Sequence, residues 1–167
     1  MKSVLVRGAE IGDLTALTDV YNHYVKTSSA TFDLEPASLE SRRQWMSGYA
    51  DAGPHRLFVA IDGGALVGYA TSGNLREKPG YLPSVETSVY VHPDRHAQGV
   101  GTSLYTALFS ALAAEDVHRA YAVIVLPNPA SIALHARFGF EPVGLFREAG
   151  RKFGRYWDMQ WFERRLP

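Results

Sequence analysis

One stretch of the chain decides its fold: VETSVYVHPDRHAQGVGT, residues 85–102. Apolar and polar residues alternate as far as Val91, which predicts a strand with Glu86 on one of its faces. The Gly99-Val100-Gly101 turn then opens a long amphipathic pattern, which predicts a helix. The first backbone N–H groups of a helix have no partners within it, and a pyrophosphate binds well there. The stretch therefore indicates an enzyme that holds a phosphorylated cofactor beside a carboxylate base.

Length and composition narrow the class of protein. The chain has 167 residues, 46% of them hydrophobic and 20% charged, so we expect one globular domain over residues 1–167. Its formal net charge is +0, which argues against a general electrostatic grip on nucleic acid or an anionic membrane. No segment reaches the roughly 20 apolar residues of a membrane span. We therefore expect a soluble cytoplasmic protein that binds neither nucleic acid nor membrane.

The sequence contains no cysteine. This excludes a disulfide framework, a thiolate metal site and a cysteine nucleophile. His92 and His96 have the spacing of helical metal ligands, but Pro93 lies between them and a third ligand is not evident. We expect no metal.

The pattern along the chain predicts the element order βααβββαβαββ, a mixed α/β domain. The first strand includes Val4 and Val6, and Asp13 caps the first helix. A loop rich in Ser and Thr, Thr27 to Pro36, carries an exposed Phe32. Before the Glu86 strand we predict a helix from Ser38 through Tyr49 that buries Trp45 and Met46, and strands Leu57–Ile61 and Leu66–Ala70 around an Asp62-Gly63-Gly64 turn. After it we predict a helix Gly99–Glu115, a central strand Tyr121–Leu126, a helix from Asn128-Pro129 to Gly139, and strands Phe140–Phe146 and Trp157–Leu166.

Five motifs recur in a familiar order. They are Ala30-Thr31-Phe32-Asp33 with Glu35-Pro36, Val85-Glu86-x-Ser88-Val89-Tyr90-Val91, Gly99-Val100-Gly101, Asn128-x-Ala130-Ser131-Ile132-x-Leu134-His135 with Phe138-Gly139-Phe140, and Gly150-Arg151-Lys152-Phe153-Gly154-Arg155-x-x-Asp158. Together they resemble the Gcn5-related N-acetyltransferase (GNAT) superfamily, and more narrowly its phosphinothricin and methionine sulfoximine acetyltransferases, over nearly the whole chain. The resemblance implies a single-domain GNAT fold of the α/β (α+β mixed) class. Its mostly antiparallel central sheet splays between the fourth and fifth strands and is flanked by about four helices.

The resemblance implies acetyl-CoA as co-substrate. The pantetheine arm pairs with the strand backbone, the pyrophosphate binds the main-chain amides of the glycine turn, and an asparagine caps the next helix. The corresponding residues here are Val89, Tyr90, Val91, Ala97, Gln98, Gly99, Val100, Gly101, Thr102 and Asn128. His96 stands where the family usually has Arg or Gln. A dinucleotide site is disfavoured because Leu104 occupies the place of the third glycine, and a Walker loop is excluded because no Gly-Lys-Ser/Thr follows.

Two residues are predicted to be catalytic by the same resemblance. Glu86 is the general base that removes a proton from the substrate ammonium, directly or through water, because a protonated amine is not nucleophilic. His135 stands where many superfamily members have a tyrosine near the cofactor sulfur. It either protonates the departing thiolate, or polarises the thioester carbonyl, or only contacts substrate. A purely structural histidine is the alternative reading.

The substrate-binding residues implied by the family are Phe32, Arg76, Lys78, Tyr81, Thr87 and Ser88. A guanidinium such as that of Arg76 grips a carboxylate or phosphinate through two parallel hydrogen bonds. Gly80 and Ser84 differ from the commonest family choices, Ala and Thr, which leaves substrate identity open.

The predicted activity is acetyl transfer to the α-amine of a small amino-acid-like acceptor in a ternary complex, a detoxification reaction if the acceptor is phosphinothricin or methionine sulfoximine. A homodimer is implied by the family alone. Two alternatives remain: an acetyltransferase for another amine, such as a protein N-terminus, and a non-catalytic acyl-CoA-binding module. Arg147, Arg151, Lys152 and Arg155 interleave with aromatic residues, and we expect them in a hairpin near the substrate pocket or a dimer contact.

Overall fold

The computed structural model describes residues 4–95 and 99–167. The strands are β1 (Leu5–Gly8), β2 (Arg56–Asp62), β3 (Ala65–Asn74), β4 (Ser84–Val91), β5 (Arg119–Val125), β6 (Glu141–Lys152) and β7 (Arg155–Arg165). The helices are α1 (Leu14–Thr27), α2 (Leu39–Met46), α3 (Val100–Leu112) and α4 (Pro129–Arg137), and short 3-10 turns cover Ile11–Asp13, Pro79–Tyr81 and Pro93–Arg95.

Seven strands form one sheet in the order β1-β2-β3-β4-β5-β7-β6. Neighbouring strands are antiparallel except β4 and β5, which run parallel. The β2–β3 hairpin turns at Gly63 and Gly64, with φ angles of +59° and +83°. Two consecutive positive φ angles match the twist of a two-residue hairpin, and glycine adopts them without steric cost.

Helices cover both faces of the sheet. On one face α3 buries Leu104, Leu108 and Leu112 completely, and apolar residues of α4 pack into the same cluster. On the other face Leu17 and Val20 of α1 pack over β2 and β3, with part of α2 beside them. Burying a leucine stabilises the fold by roughly 1.5–3 kcal/mol, so these two clusters hold the helices on the sheet.

The sheet parts between β4 and β5. Among the described residues the two strands pair only through Ser84, Val85 and Glu86, opposite Arg119, Ala120 and Tyr121. Beyond Glu86, β4 stays paired with β3 as far as Val91, while β5 pairs with β7. This geometry, with helices on both faces, confirms the predicted fold class and the predicted element order.

The structure corrects the predicted cap of the first helix. Asp13 precedes α1, but its carboxylate does not bind an α1 amide. It accepts two hydrogen bonds from the Arg7 guanidinium, at 2.7 and 2.9 Å, and one from the Glu10 backbone N–H at 2.8 Å. A bidentate, charge-assisted pair is stronger than a single cap bond, so the Asp13 carboxylate binds Arg7 of β1 and does not cap α1.

Phe32 is not exposed as predicted. It is half-buried, and its ring lies on Gly150 of β6, where a Cβ would come within 2.2 Å of the ring. Lys152 reaches the same loop, because its Nζ donates to the Thr31 carbonyl oxygen over 2.7 Å. The 27–36 loop is therefore fastened to the β6–β7 hairpin by a stacked ring and a buried ammonium.

Several element boundaries also differ from the prediction. Helix α2 ends at Met46, and the amides of Gly48 and Tyr49 turn back to carbonyls three residues earlier. Strand β3 runs on to Asn74, paired with β4 throughout. The last hairpin is longer than predicted because a bulge between Phe146 and Gly150 lets β6 resume pairing after an interruption.

Among the described residues no helix is long and apolar enough to cross a membrane.

Gly68 of β3 lies against the backbone of β4. A Cβ at position 68 would lie 2.8 Å from the Tyr90 carbonyl oxygen and 3.2 Å from the Val91 Cα. Because main-chain atoms cannot swing aside, we expect Gly68→Ala to lower the free energy of unfolding by about 1–3 kcal/mol in urea titrations. Gly144→Ala in β6 is the control, since a Cβ there meets nothing within 4 Å. Equal losses in the two variants would contradict this packing.

Candidate active site

A cleft of about 680 Å³ opens where β4 and β5 diverge. Its walls are the divergent parts of both strands, the start of α3 and one side of α4. Most of the residues predicted to bind the cofactor line it: Val89, Tyr90, Val91, Gly99, Gly101, Thr102 and Asn128. Val100 is buried and points into the core, so only its backbone is near the cleft. Ala97 and Gln98, and also His96, lie outside the described residues.

The two glycines of the turn, Gly99 and Gly101, are there for different structural reasons. Gly99 precedes α3 with φ +80°, a left-handed conformation that glycine adopts without steric cost, and no described side chain caps the helix start. Gly101 leaves room for α4, since a Cβ there would lie 3.0 Å from the Leu134 Cδ2 and would make that side chain shift. The start of α3 thus lines the cleft without a side-chain cap, and Gly101 lets α4 approach closely.

Asn128 starts α4, as predicted. Its Oδ1 accepts a hydrogen bond from the Ser131 backbone N–H at 3.1 Å, and Pro129 occupies the first helical position. The residue also lines the cleft, so both roles foreseen for it are compatible with its position.

Tyr24 was not foreseen as a site residue. It lies on α1, and its hydroxyl reaches the cleft and donates to the Val91 carbonyl oxygen. Burial raises the pKa of Tyr24 to about 12, so the phenol is neutral at physiological pH. The periodicity of α1 identifies its buried face but does not show where a phenol tip ends.

Glu86 lies at the point where the strands part. It is the last β4 residue paired with β5, and it is half-buried on the face covered by α1 and α2. Burial raises the pKa of its carboxyl, and the positive charge of Arg76 partly offsets this. A carboxylate with a raised pKa is a stronger base, which is the property that a proton acceptor at neutral pH needs.

The predicted substrate loop lies on the surface. Arg76 and Lys78 are exposed, and Tyr81 keeps 46% of its surface accessible. Arg76 stands over the ring of Trp161, 5.7 Å from its centroid, and it is close enough to act on the Glu86 charge. Trp161 was missed by the sequence reasoning because it lies on β7, far along the chain from the loop. The structure brings Arg76 to Glu86 and leaves Phe32 on the β6–β7 hairpin.

Thr87 and Ser88 occupy opposite faces of β4. Ser88 shares the face of Glu86 and lines the cleft. Thr87 is buried on the α3 side, where its Oγ1 lies 3.2 Å from the Tyr121 carbonyl oxygen and 3.3 Å from the Tyr105 hydroxyl. The side chain of Thr87 is therefore engaged within the protein.

His135 lines the cleft but is only 3% exposed. Its Nδ1 lies 2.7 Å from the Ser131 carbonyl oxygen, which can only accept, so Nδ1 carries the proton. In the neutral ring Nε2 then accepts from the Tyr105 hydroxyl at 2.9 Å. Burial lowers the pKa of His135, which favours this neutral form. The chain from Thr87 through Tyr105 to His135 ties β4, α3 and α4 together beneath the cleft.

A second cavity of about 350 Å³, which we call the aromatic cavity, lies on the Glu86 face of β4. Ser88 and Tyr90 form its floor, and Ser88 also lines the cleft. Its walls are the rings of Tyr21, Trp45, Tyr49 and Tyr69, together with the guanidinium of Arg42. The prediction for α2 assigned burial to Trp45 and Met46. Both are half-buried, and the fully buried residue of the helix is Arg42.

Comparison with known proteins identifies the family. The acetyltransferase (GNAT) domain family matches residues 6–161. A phosphinothricin N-acetyltransferase of Streptomyces coelicolor is 56% identical over 165 residues, which cover 98% of this chain and 96% of that protein. An L-methionine sulfoximine/L-methionine sulfone acetyltransferase of Pseudomonas paraeruginosa is 35% identical over 164 residues, with coverage of 98% and 95%.

A solved structure agrees with these relatives. The crystal structure of a GNAT superfamily phosphinothricin acetyltransferase from Sinorhizobium meliloti, in complex with AcCoA, matches with a TM-score of 0.93. It is 32% identical, and the match covers 99% of this chain and 89% of that one. A splayed sheet with a cleft at a glycine turn is thus the architecture of an acetyltransferase. The chain belongs to the acetyltransferase (GNAT) domain family, which confirms the predicted resemblance and enzyme class.

The charge of Arg76 is expected to tune Glu86. Arg76 stabilises the ionised carboxylate, so Arg76→Ala should raise the pKa of Glu86 further. Carboxyl ¹³C NMR titration measures this shift directly, and Arg76→Lys, which keeps the charge, should shift the pKa less. An unchanged or lowered Glu86 pKa in Arg76→Ala would contradict the coupling.

The neutral state of His135 has a consequence for stability. Because its folded pKa lies below the ordinary 6.5, the unfolded chain takes up the proton first, and stability falls as the pH drops below about 6.5. We expect His135→Ala to be destabilised by about 1–3 kcal/mol at pH 7.5, since Tyr105 and Ser131 lose a buried partner. This deficit should shrink at pH 5.5 in urea titrations. His118→Ala, at an exposed position, is the control; a deficit for His135→Ala that stays constant or widens would refute the neutral, buried ring.

Proposed function

We propose that this protein transfers the acetyl group of acetyl-CoA to the α-amine of a small amino-acid-like acceptor, as a phosphinothricin acetyltransferase-like enzyme. Phosphinothricin and methionine sulfoximine head the acceptors we propose. One observation carries the proposal: a half-buried carboxylate of raised pKa, Glu86, stands where two strands part beside a cleft. The names of the similar proteins support the choice of acceptor.

The cleft suits an extended thioester cofactor. Beyond Glu86, β4 is not paired with β5, so an arm with amide groups can lie along the strand as an added ribbon. The start of α3 presents amides at Val100, Gly101 and Thr102 for a pyrophosphate. We assign Val89, Tyr90 and Asn128 to the same ligand, and Val91 through its side chain, since its carbonyl oxygen already accepts from Tyr24.

The proposed reaction is direct transfer in a ternary complex. Glu86 takes a proton from the acceptor ammonium, directly or through water, and the nitrogen lone pair forms a bond to the thioester carbonyl carbon. The tetrahedral intermediate then expels the thiolate of coenzyme A as the C–S bond breaks, and the surplus proton of the nitrogen passes to that thiolate, which leaves as the free thiol. The sequence has no cysteine to carry the acetyl group, and union of both substrates supplies much of the acceleration.

His135 fits a positioning role better than the role of an acid. A proton on Nε2 would reverse the Tyr105 hydrogen bond, so that the hydroxyl accepts from the ring, and the lowered pKa of His135 opposes the added charge. Thiolates are good leaving groups, so the transfer needs little assistance from an acid. We propose that His135 sets the position of α4 at the cleft and contacts the reacting groups only at its edge.

The acceptor is proposed to bind on the Glu86 face of β4. Arg76, with Lys78 beside it in the loop, offers cations for the acceptor carboxylate, and Ser88 offers a hydroxyl. Phe32 and Tyr81 are proposed as outer walls, and Thr87 holds the strand from behind. Arg76 is free to adapt to a substrate because it is exposed.

We also propose a homodimer. Large apolar side chains of the β6–β7 hairpin are exposed, among them Val143 (53%), Phe146 (52%) and Tyr156 (57%), and a second subunit would cover them.

The described ranges share one sheet, which supports one domain over residues 1–167. We propose a cytoplasmic enzyme, where acetyl-CoA is available, that inactivates amino-acid analogues, without metal, nucleic acid or membrane as partner.

Free-thiol release from acetyl-CoA tests the activity. We expect release with phosphinothricin or methionine sulfoximine, none with buffer, and little with a polyamine or an N-terminal peptide. Glu86→Gln should keep the Kd for acetyl-CoA while kcat at pH 7 falls by about 10²- to 10⁴-fold, because an amide takes up no proton.

Each contrary outcome has a distinct meaning. Release only with a peptide amine would replace the proposed acceptor and keep the reaction. Cofactor binding without release for any amine would leave an acyl-CoA-binding module. An undiminished rate in Glu86→Gln would remove Glu86 from the role of base.

A further inference from the structure

Arg42 is an unusual residue for the interior of a protein. It is 5% exposed and belongs to α2, whose other described residues are half-buried or exposed. Its guanidinium carbon lies 3.5 Å from the centroid of the Trp45 ring and 4.5 Å from that of Tyr21. The two rings pack against the guanidinium group, and aromatic faces do not satisfy its N–H groups, which need hydrogen-bond acceptors elsewhere.

The N–H groups of Arg42 are incompletely satisfied. The Nε of Arg42 is buried and has no hydrogen-bond partner among the described residues, and Nη2 makes one long bond of 3.4 Å to the Tyr69 hydroxyl. Within the described ranges no ion pair includes Arg42. The phenols beside it supply no charge, because burial raises the pKa of Tyr21 to about 12 and that of Tyr69 well above its usual value. A buried cation without an anion is costly, so an anionic partner from outside would relieve it.

The cavity that Arg42 lines lies close to the base. Glu86, Ser88 and Tyr90 alternate on one face of β4, so the position of Ser88 is about 6.6 Å along the strand from Glu86. Tyr49 links the two places, since its hydroxyl stands 3.7 Å from the Cβ that residue 73 would have, and Gly73 is the β3 partner of Glu86. An acceptor whose amine is at Glu86 can therefore extend its side chain over Ser88 into the aromatic cavity.

The lining of the cavity matches a particular kind of side chain. The rings of Trp45 and Tyr69 offer apolar walls for methylene groups, while the guanidinium of Arg42 among them supplies charged N–H donors. Asp33 also lines the cavity, and its carboxylate accepts a hydrogen bond from the Tyr21 hydroxyl at 2.6 Å, which holds it in place. Such a site receives an oxyanion at the end of a short aliphatic chain.

We propose that Arg42 is the specificity-determining residue of the acceptor site and binds the anionic end of the acceptor side chain, a phosphinate or carboxylate. This inference rests on the proposed function, since it places the α-amine at Glu86. Acceptors with a charged side-chain end are preferred to neutral analogues of the same shape. The α-carboxylate is bound separately, at the surface loop of Arg76.

The test compares two acceptors and two neighbouring arginines. KM and kcat are measured with saturating acetyl-CoA for phosphinothricin, which carries an anionic phosphinate, and for methionine sulfone, which is neutral there. We expect Arg42→Met to raise the KM for phosphinothricin by about 10- to 100-fold, the loss of a charge-assisted pair, and to affect the anion at least tenfold more than the sulfone. Arg43→Met, at an exposed position of the same helix, is the matched control and should leave both acceptors unaffected.

Arg42→Lys is a second variant that separates loss of the charge from loss of the fold. It keeps the positive charge but loses the paired N–H donors of the guanidinium, so the KM for phosphinothricin should rise by less than in Arg42→Met. Calorimetric titration of each variant with phosphinothricin gives the same comparison without turnover, and circular dichroism shows whether the fold is intact.

Three results would overturn the proposal. Equal losses for both acceptors in folded variants would assign Arg42 to packing or to the common α-carboxylate. An unchanged KM in Arg42→Met would show that the anion binds elsewhere. A wild-type protein that transfers acetyl to neither acceptor would remove the proposed function, and this inference with it.

Discussion

The parting of β4 from β5 after Glu86 is the constraint on which the rest of the structure depends. Strands that separate expose backbone groups that would otherwise be paired, and such groups are stable only if something else satisfies them. Beneath the cleft, Thr87, Tyr105 and His135 hold β4, α3 and α4 at fixed distances. The fold therefore keeps open a cleft that continued pairing of β4 with β5 would close. A ligand that fits there has amide groups of its own, which can pair with the exposed backbone.

Electrostatics divide the site into positions with different properties. At Glu86, burial raises the carboxyl pKa and the Arg76 charge moderates it, so a base and a cation face the same solvent-accessible region. At His135 burial acts on a cation and keeps the ring neutral. Arg42 is the third case, a cation packed against aromatic rings whose buried Nε has no hydrogen-bond partner among the described residues. Burial strengthens the base, neutralises the imidazole and leaves the guanidinium in need of an anion.

The sequence pattern predicts those structural features that are determined by residues close together in the chain. The alternation in β4, the glycine turn and the Asn128-Pro129 helix start are each set by neighbours in sequence, and the structure shows all three. Other features depend on contacts from distant residues. Arg42 and Arg43 are adjacent and chemically identical in the sequence, yet one is buried under two rings and the other is exposed, because α2 lies on the sheet at an angle that its polar sequence does not specify. Phe32 was misjudged for the same reason, since Gly150 supplies the surface beneath it.

The fastening of the 27–36 loop to the β6–β7 hairpin has an evolutionary consequence. Phe32 and Thr31 connect the hairpin to a loop that supplies Ala30 to the cleft and Asp33 to the aromatic cavity. Replacements at Gly150 or Lys152 therefore move groups at both ligand sites without touching either ligand. Changes in the hairpin and changes in the acceptor pocket are therefore coupled through this loop, and we expect their effects on acceptor choice to be non-additive.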